Sequence, residues 1–179
     1  MSDMWLDPAE DPRDYSPARG EKGTVLQYLR NYRLTFELKC QDLDAEQMAR
    51  RAVPPSTLSL LGLLRHLAQM EHHWSVRVLR GVDTPQLFKT PEDREADLHG
   101  GSADPAVVEE AWATWRQAGA EADAVYAAED WDRLLGDPGT PEEERTEVRD
   151  VIVHVLEEYA RHVGHADLLR ECLDGRTGQ

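Results

Sequence analysis

The sequence predicts an all-α protein: a four-helix bundle preceded by an extended N-terminal arm. Apolar residues recur with a helical period of about 3.6 residues in four long segments. No segment shows the sustained apolar–polar alternation of a β-strand, and no internal repeat is found. Amphipathic helices bury their apolar faces most simply against one another, which favours a bundle.

The length and composition indicate one domain that does not bind nucleic acid or membranes. The 179 residues suit a single domain, which we place at residues 21–179, after a proline-containing arm at residues 1–20. The formal net charge of -15 repels a phosphate backbone. No apolar run is long enough to cross a bilayer, and the first residues do not resemble a signal peptide. We therefore expect a cytoplasmic protein.

Capping residues and the limits of the apolar periodicity set the four predicted helices. Their boundaries are Thr24 to Leu43, Ser56 or Thr57 to Gly81, Asp104 to Glu129, and Pro141 or Thr146 to Leu173. The run PEEE at 141–144 is predicted to form the first turn of the fourth helix. The long connection at 82–103 is either a functional loop or a crossover that lets the second and third helices run parallel.

The fourth predicted helix carries polar side chains on its apolar face. His154, Glu158, His162 and His165 lie on or beside the apolar stripe, and His66 lies among leucines of the second helix. Burying an isolated charge destabilises a fold by several kcal/mol, so buried ionisable groups pair, become neutral or bind an ion. The cluster predicts either a hydrogen-bonded His–Glu network or a metal site shared by two helices.

Helix geometry limits which residues bind one ion together. At a rise of about 1.5 Å per residue, His154 and His162 lie roughly 12 Å apart, too far to share an ion. Three pairs remain as partners of His66: His154 with Glu158, Glu158 with His162, or His162 with His165. We choose His66, Glu158 and His162 as the metal ligands. We expect His165, about one turn away, to orient a ligand or transfer a proton in a catalytic role.

Other candidate residues carry weaker signals. His72 and His73 point about 100° apart on a helix, so both cannot reach one site, although His73 or Trp74 could line the pocket. His99 falls in the long connection, where we expect a solvated side chain. Cys40 and Cys172 form neither a disulfide framework nor a thiolate zinc site.

Two segments, LLRHLAQMEHHW and EEYARHVGHADLLRE, resemble the signature helices of the DinB-like superfamily, in particular an actinobacterial branch of unknown function. The resemblance covers nearly the whole chain except the arm. It implies a four-helix bundle whose divalent metal is held by His66, Glu158 and His162. Glu158 replaces the commoner histidine, which makes the site similar to that of the mycothiol-dependent maleylpyruvate isomerases.

The resemblance also implies a low-molecular-weight thiol, such as mycothiol or bacillithiol, and a homodimer. We therefore expect a thiol-dependent transferase or isomerase acting on a small electrophile. Zinc is the expected metal, although nickel, iron and manganese accept the same ligands. Two other functions remain open: a metal-dependent hydrolase in which His165 assists as a base, and a non-catalytic ligand-binding or stress protein with a structural polar network.

Overall fold

The computed structural model of the protein describes residues 6–7, 9–137 and 139–178, most of which are helical. Six α-helices span Gly20–Cys40 (α1), Ala45–Ala49 (α2), Leu60–His72 (α3), Ala96–His99 (α4), Pro105–Ala128 (α5) and Val148–Asp174 (α6). A π-helix, His73–Leu79, continues α3, and a 3-10 turn, Glu142–Glu144, precedes α6. No β-strand forms in the described ranges. The predicted all-α helical bundle is confirmed.

The first and last long helices, α1 and α6, lie side by side and run parallel. Near the start of both helices, Arg149 donates to Glu21 at 2.6 Å. Near the end of both, the Arg170 guanidinium donates to the Lys39 carbonyl at 3.0 Å.

The second parallel pair is formed by α3, with its π-helical extension, and α5. The Tyr126 hydroxyl donates to Glu71 at 3.2 Å, and Arg133, just beyond the end of α5, donates to the Leu79 carbonyl at the end of the π-helix at 3.2 Å. The connection at 82–103 is therefore a crossover between parallel helices, one of the two alternatives that its length predicts.

The two parallel pairs run in opposite directions. Lys22, at the start of α1, donates to the Ala127 carbonyl at the end of α5, at 2.7 Å. Arg116, in the first half of α5, donates to Glu37 near the end of α1, at 2.9 Å. Short connections thus join antiparallel neighbours, as predicted.

The apolar stripe of α6 forms one side of the core. Its buried members are Val148, Val151, Ile152, Val155, Tyr159, Val163, Ala166 and Leu169. Their spacing follows the helical period of the sequence. His162 lies on the same face and is 8% exposed, so the bundle holds an imidazole at the edge of its apolar core.

A buried ion pair crosses the centre of the bundle. Arg33 of α1 donates through Nε to Glu71 of α3 at 2.7 Å, and Glu71 is fully buried. Burial raises the pKa of Glu71, and the neighbouring Arg33 charge opposes that rise. Asp123 and the Tyr126 hydroxyl supply further polar contacts to the pair.

Two predicted N-caps are wrong. The helix α1 begins at Gly20, and Thr24 lies inside it with its hydroxyl donating to the Gly20 carbonyl at 2.7 Å. Ser59, rather than Ser56 or Thr57, caps α3, since its Oγ accepts a hydrogen bond from a backbone N–H three residues later at 3.0 Å.

The last long helix also begins later than predicted. The run Glu142–Glu144 forms a separate 3-10 turn rather than the first turn of α6. The backbone just before α6 is held by the segment after α5: the Leu135 N–H donates to the Thr146 carbonyl at 2.8 Å, and the Val148 N–H donates to the Arg133 carbonyl at 2.9 Å. These bonds hold the backbone just before α6 in an extended conformation, so the helix begins only at Val148.

Of the predicted arm, residues 1–5 and Pro8 lie outside the described residues. The part that precedes α1 lies against that helix: the buried Arg13 side chain donates to Thr35 at 3.1 Å, and the Asp14 N–H donates to Asn31 at 3.0 Å. Among the described residues, no helix combines the length and apolar character needed to cross a bilayer.

Candidate metal centre

Two helices bring the three sequence-predicted ligands together. Glu158 and His162 lie one turn apart on α6, facing His66 of α3. The Oε2 atom of Glu158 lies 3.4 Å from Nε2 of His66 and 3.3 Å from Nε2 of His162. The three potential ligand atoms all lie within 4.8 Å of one another.

This geometry fits a divalent ion. Ligand atoms at about 2.0–2.1 Å from a tetrahedral zinc ion are about 3.3–3.4 Å apart, close to the two separations from the Glu158 oxygen, and the ligand atoms of the two histidines lie within 4.8 Å of each other. Two imidazole nitrogens and one carboxylate oxygen form a donor set that zinc accepts with a position left open. Zinc is thus compatible with these residues, and so are the other metals that accept nitrogen and oxygen donors.

A carboxylate lies behind His66, on the side away from Glu158. The Oδ2 atom of Asp97, from α4, lies 2.8 Å from Nδ1 of His66 and 3.3 Å from Nζ of Lys89. Asp97 is fully buried. When Nδ1–H of His66 donates to this carboxylate, Nε2 keeps its lone pair and faces the site, the tautomer a metal ligand requires.

The charges within the cluster perturb its titration. Burial lowers the pKa of His66, but its hydrogen bonds with Asp97 and Glu158 outweigh burial and raise that pKa overall. Hydrogen bonds from His162 and His66 lower the pKa of Glu158 far below its usual range, against the effect of burial. Glu158 is therefore a carboxylate at any physiological pH, and His66 binds a proton readily when no metal competes.

His165 does not join the three facing ligand atoms. Its Nδ1 lies 3.2 Å from Nδ1 of His162, so it contacts the nitrogen that faces away from Glu158. Burial, and then the neighbouring His162, lower the pKa of His165. A neutral His165 can accept a hydrogen bond from Nδ1–H of His162, which leaves Nε2 of His162 free as a ligand.

His154 lies on the other side of Glu158 and is more exposed than Glu158 and His162, with 37% of its side chain accessible. Its Nε2 is 3.7 Å from Oε1 of Glu158, and its ring centroid is 5.1 Å from that of Trp74. The expectation that all four α6 residues face inward is therefore too strong for His154, because it lies at the edge of the stripe.

The remaining histidines lie apart from the three ligand atoms. Nε2 of His72 lies 2.9 Å from the Thr84 hydroxyl, a contact that ties the crossover to α3. His73 lines a neighbouring cavity. His99 pairs with Glu95 at 3.3 Å and ends the short helix α4. The prediction of a solvated loop histidine is thus wrong for His99, which is helical and only partly exposed.

Two cavities flank the site. A polar cavity of about 910 Å³ lies beneath the crossover and is lined in part by His73, Arg77 and Lys89. An apolar cleft of about 540 Å³ lies towards the segment before α6 and is lined in part by Trp74 and His154. Both volumes are in the range typical of small-molecule sites.

Sequence reasoning missed Asp97 and Lys89. Their only sequence signal was the unusual length of the connection at 82–103, which permits a functional loop without naming a residue. The π-helix that holds His73 and Trp74 was also missed, because it has the same apolar periodicity as the helix that it continues.

The fold and the His–Glu–His cluster define a helical-bundle protein of the DinB-like type. The chain matches the family described as "MST: Mycothiol-S-transferase" over residues 24–175, and it belongs to that family. The match includes both helices of the candidate centre and leaves out the N-terminal arm. A search of curated proteins gives no significant match.

Proposed function

We propose that the protein is a metal-dependent mycothiol S-transferase that joins the thiol of mycothiol to a small electrophile. The observation that carries this proposal is the arrangement of His66, Glu158 and His162, whose ligand atoms face one another within 4.8 Å. It occurs in a chain of the mycothiol-S-transferase family. We further propose the cytoplasm as its location, since both cysteines are free thiols, as expected in a reducing compartment.

The proposed metal ligands are His66, Glu158 and His162, with zinc as the expected ion. A divalent ion held by these three ligands would accept a thiol as a further ligand and would lower the pKa of that thiol towards neutral pH. Asp97 keeps His66 in its ligand tautomer. His165, which the sequence assigns to catalysis, acts as a positioning residue in this proposal because it contacts only the far nitrogen of His162.

The polar cavity is the proposed thiol site. Gln69 is buried, and its side-chain oxygen accepts hydrogen bonds from the Leu87 and Phe88 N–H groups at 2.9 and 3.1 Å, which holds the crossover over the cavity. The lining offers donors and acceptors such as Thr84 and Lys89. A hydroxyl-rich thiol such as mycothiol finds hydrogen-bonding partners there, and Met70 lies one turn along α3 from His66.

The proposed reaction balances without an oxidant. The thiol releases its proton to solvent, its sulfur forms a bond with the electrophilic carbon, and the leaving group departs with the bonding electron pair. Cys40 is unsuited to this attack, because it is buried and burial raises the pKa of its thiol. The exposed Cys172 lies on α6 at about 15 Å along the helix axis from His162.

The test compares metal content and conjugation in variants purified without a histidine tag. The variants His66→Ala, Glu158→Ala and His162→Ala should lose the ion and the activity, whereas His99→Ala should retain both. Activity should require mycothiol and should disappear after chelation and return with added zinc. Full activity without thiol or after chelation contradicts the proposal. Loss of the ion in His154→Ala but not in His162→Ala shows that the wrong pair of α6 ligands was chosen.

A further inference from the structure

We propose that the apolar cleft beside Trp74 is the electrophile subsite and that it selects flat aromatic electrophiles. This inference rests on the proposed function, because it assigns the second substrate of that reaction. Among the described residues, the apolar lining of the cleft is Trp74, Val78, Leu135 and Val151.

The cleft has the size and lining for an aromatic ring. Its volume is about 540 Å³, and Trp74, Leu135 and Val151 come from three different segments: the π-helix, the loop before α6, and α6 itself. Of its charged members, Glu144 and Asp150 are exposed to solvent and Arg145 is partly buried. An indole beside aliphatic side chains favours a flat apolar guest, because stacked or edge-on rings gain attraction beyond the burial of apolar area.

The cleft reaches the candidate metal centre through His154. This residue lines the cleft, its ring lies in an edge-on contact with Trp74, and its Nε2 lies 3.7 Å from Oε1 of Glu158. A ring bound in the cleft against Trp74 and His154 is therefore close to the carboxylate of the centre. That is where an electrophilic carbon must lie to meet a thiol sulfur.

The π-helix separates this cleft from the polar cavity. His73 and Arg77 of this helix line the polar cavity, while Trp74 and Val78 line the apolar cleft. The two cavities share no lining residue among those described. The π-helix thus presents polar side chains to the polar cavity and apolar side chains to the apolar cleft. Such π-helical turns occur frequently at functional sites. The two substrates can enter from opposite flanks.

The experiment uses a matched set of small molecules. 1-Chloro-2,4-dinitrobenzene is an aromatic electrophile: the thiol sulfur bonds to its ring carbon, and chloride leaves with the electron pair. Iodoacetamide is a small polar electrophile that releases iodide in the same way. 1,3-Dinitrobenzene has no leaving group, so its binding reports on the cleft without any reaction. Each is used with metal-loaded full-length protein, and the uncatalysed rate is subtracted.

Trp74→Ala should weaken 1,3-dinitrobenzene binding by at least about tenfold and raise the KM for 1-chloro-2,4-dinitrobenzene similarly, because the stacking surface is lost. The KM for mycothiol, the metal content and the rate with iodoacetamide should change less than about twofold. Leu135→Ala changes the cleft at another segment and retains Trp74, and it should also weaken the binding of 1,3-dinitrobenzene. Trp112→Ala is the matched control, since Trp112 is a partly exposed indole on α5 that lines neither cavity.

The outcomes separate this inference from the proposed function. Binding of 1,3-dinitrobenzene that depends on Trp74, in a protein that conjugates no electrophile, supports an aromatic site while the transferase proposal fails. Conjugation of 1-chloro-2,4-dinitrobenzene with an unchanged KM in both Trp74→Ala and Leu135→Ala overturns the subsite and leaves the transferase standing. A rise in the KM for mycothiol alone also overturns it, because the cleft would then hold the thiol.

Discussion

Asp97 should strengthen metal binding without touching the ion. Its buried carboxylate lies 2.8 Å from Nδ1 of His66, whose other nitrogen faces Glu158. Removing such a partner of a metal-bound histidine typically costs 10- to 100-fold in affinity. Asp97→Asn retains an oxygen that can accept from Nδ1–H but removes the charge, so we expect about a tenfold loss, or about 1.4 kcal/mol. Asp97→Ala removes both, so we expect about a hundredfold loss, or about 2.8 kcal/mol.

Lys89 adds to the loss of metal affinity expected in the Asp97 variants. Its Nζ lies 3.3 Å from the Asp97 carboxylate, and without that carboxylate its positive charge faces the metal centre uncompensated. The Lys89 side chain is 30% exposed, so solvent screens much of this repulsion. The double variant Asp97→Asn, Lys89→Met should therefore lose less metal affinity than Asp97→Asn alone.

The assay is competition for zinc with a chelating dye, with helical content measured alongside. Glu95→Gln is the control, because Glu95 is an exposed carboxylate two residues earlier that pairs with His99. A second readout is the pKa of His66 in metal-free protein, followed by NMR. This pKa should fall in Asp97→Asn, since the hydrogen bond with Asp97 contributes to raising it. Wild-type zinc affinity in both Asp97 variants, beside a loss in Glu158→Gln, would refute the reasoning.

Three further predictions concern protons, the core and the cysteines. Zinc should dissociate as the pH falls through the histidine range, because the raised pKa of His66 lets protons compete with the ion near neutral pH. Calorimetry in buffers of different ionisation enthalpy should therefore show that zinc binding releases protons near pH 6. Arg33→Met should lower the free energy of unfolding by about 3–5 kcal/mol in urea titrations, because Glu71 becomes an unpaired buried acid. Cys40→Ala with Cys172→Ser should leave conjugation rates within about twofold of wild type, since neither thiol is the proposed nucleophile.

For each of these three predictions, one result would contradict the reasoning. Zinc affinity that is constant from pH 8 to pH 5 argues against histidine ligation. The variant pair Arg33→Met, Glu71→Leu should recover much of the lost stability, and a double variant no more stable than Arg33→Met shows that the ion pair is not the cause. Loss of conjugation with full zinc content in the cysteine variant assigns the nucleophile to the protein.

The parts of the structure fixed by helix geometry could be predicted from the sequence. The stripe of α6 follows from a constant angle per residue, and Val151, Val155 and Tyr159, which recur at that angle, lie in the core. The same constant rise brings Glu158 and His162 within reach of one partner and leaves His154 more exposed. Such arguments need only positions within one helix.

The parts that depend on contacts between distant segments could not be predicted. Asp97 reaches His66 only because the crossover folds back over α3. Arg33 and Glu71 pair across helices, and the periodicity within one helix does not say which polar residue of another helix it will face. The π-helix that holds Trp74 depends on a local change in backbone hydrogen bonding that leaves no mark in the apolar periodicity.

The two interpretations that the sequence left open, a polar network and a metal site, describe two charge states of one cluster. With both imidazoles protonated, His66 and His162 carry two positive charges against the carboxylates of Glu158 and Asp97, with Lys89 beside them. With both imidazoles neutral and a divalent ion bound, the sum is the same. Exchanging two protons for one divalent ion therefore leaves the net charge of this partly buried cluster unchanged, so neither state adds a buried charge relative to the other. Hydrogen bonds between imidazole and carboxylate in the metal-free cluster are therefore no argument against ligation, since they bring together the same atoms that would hold an ion.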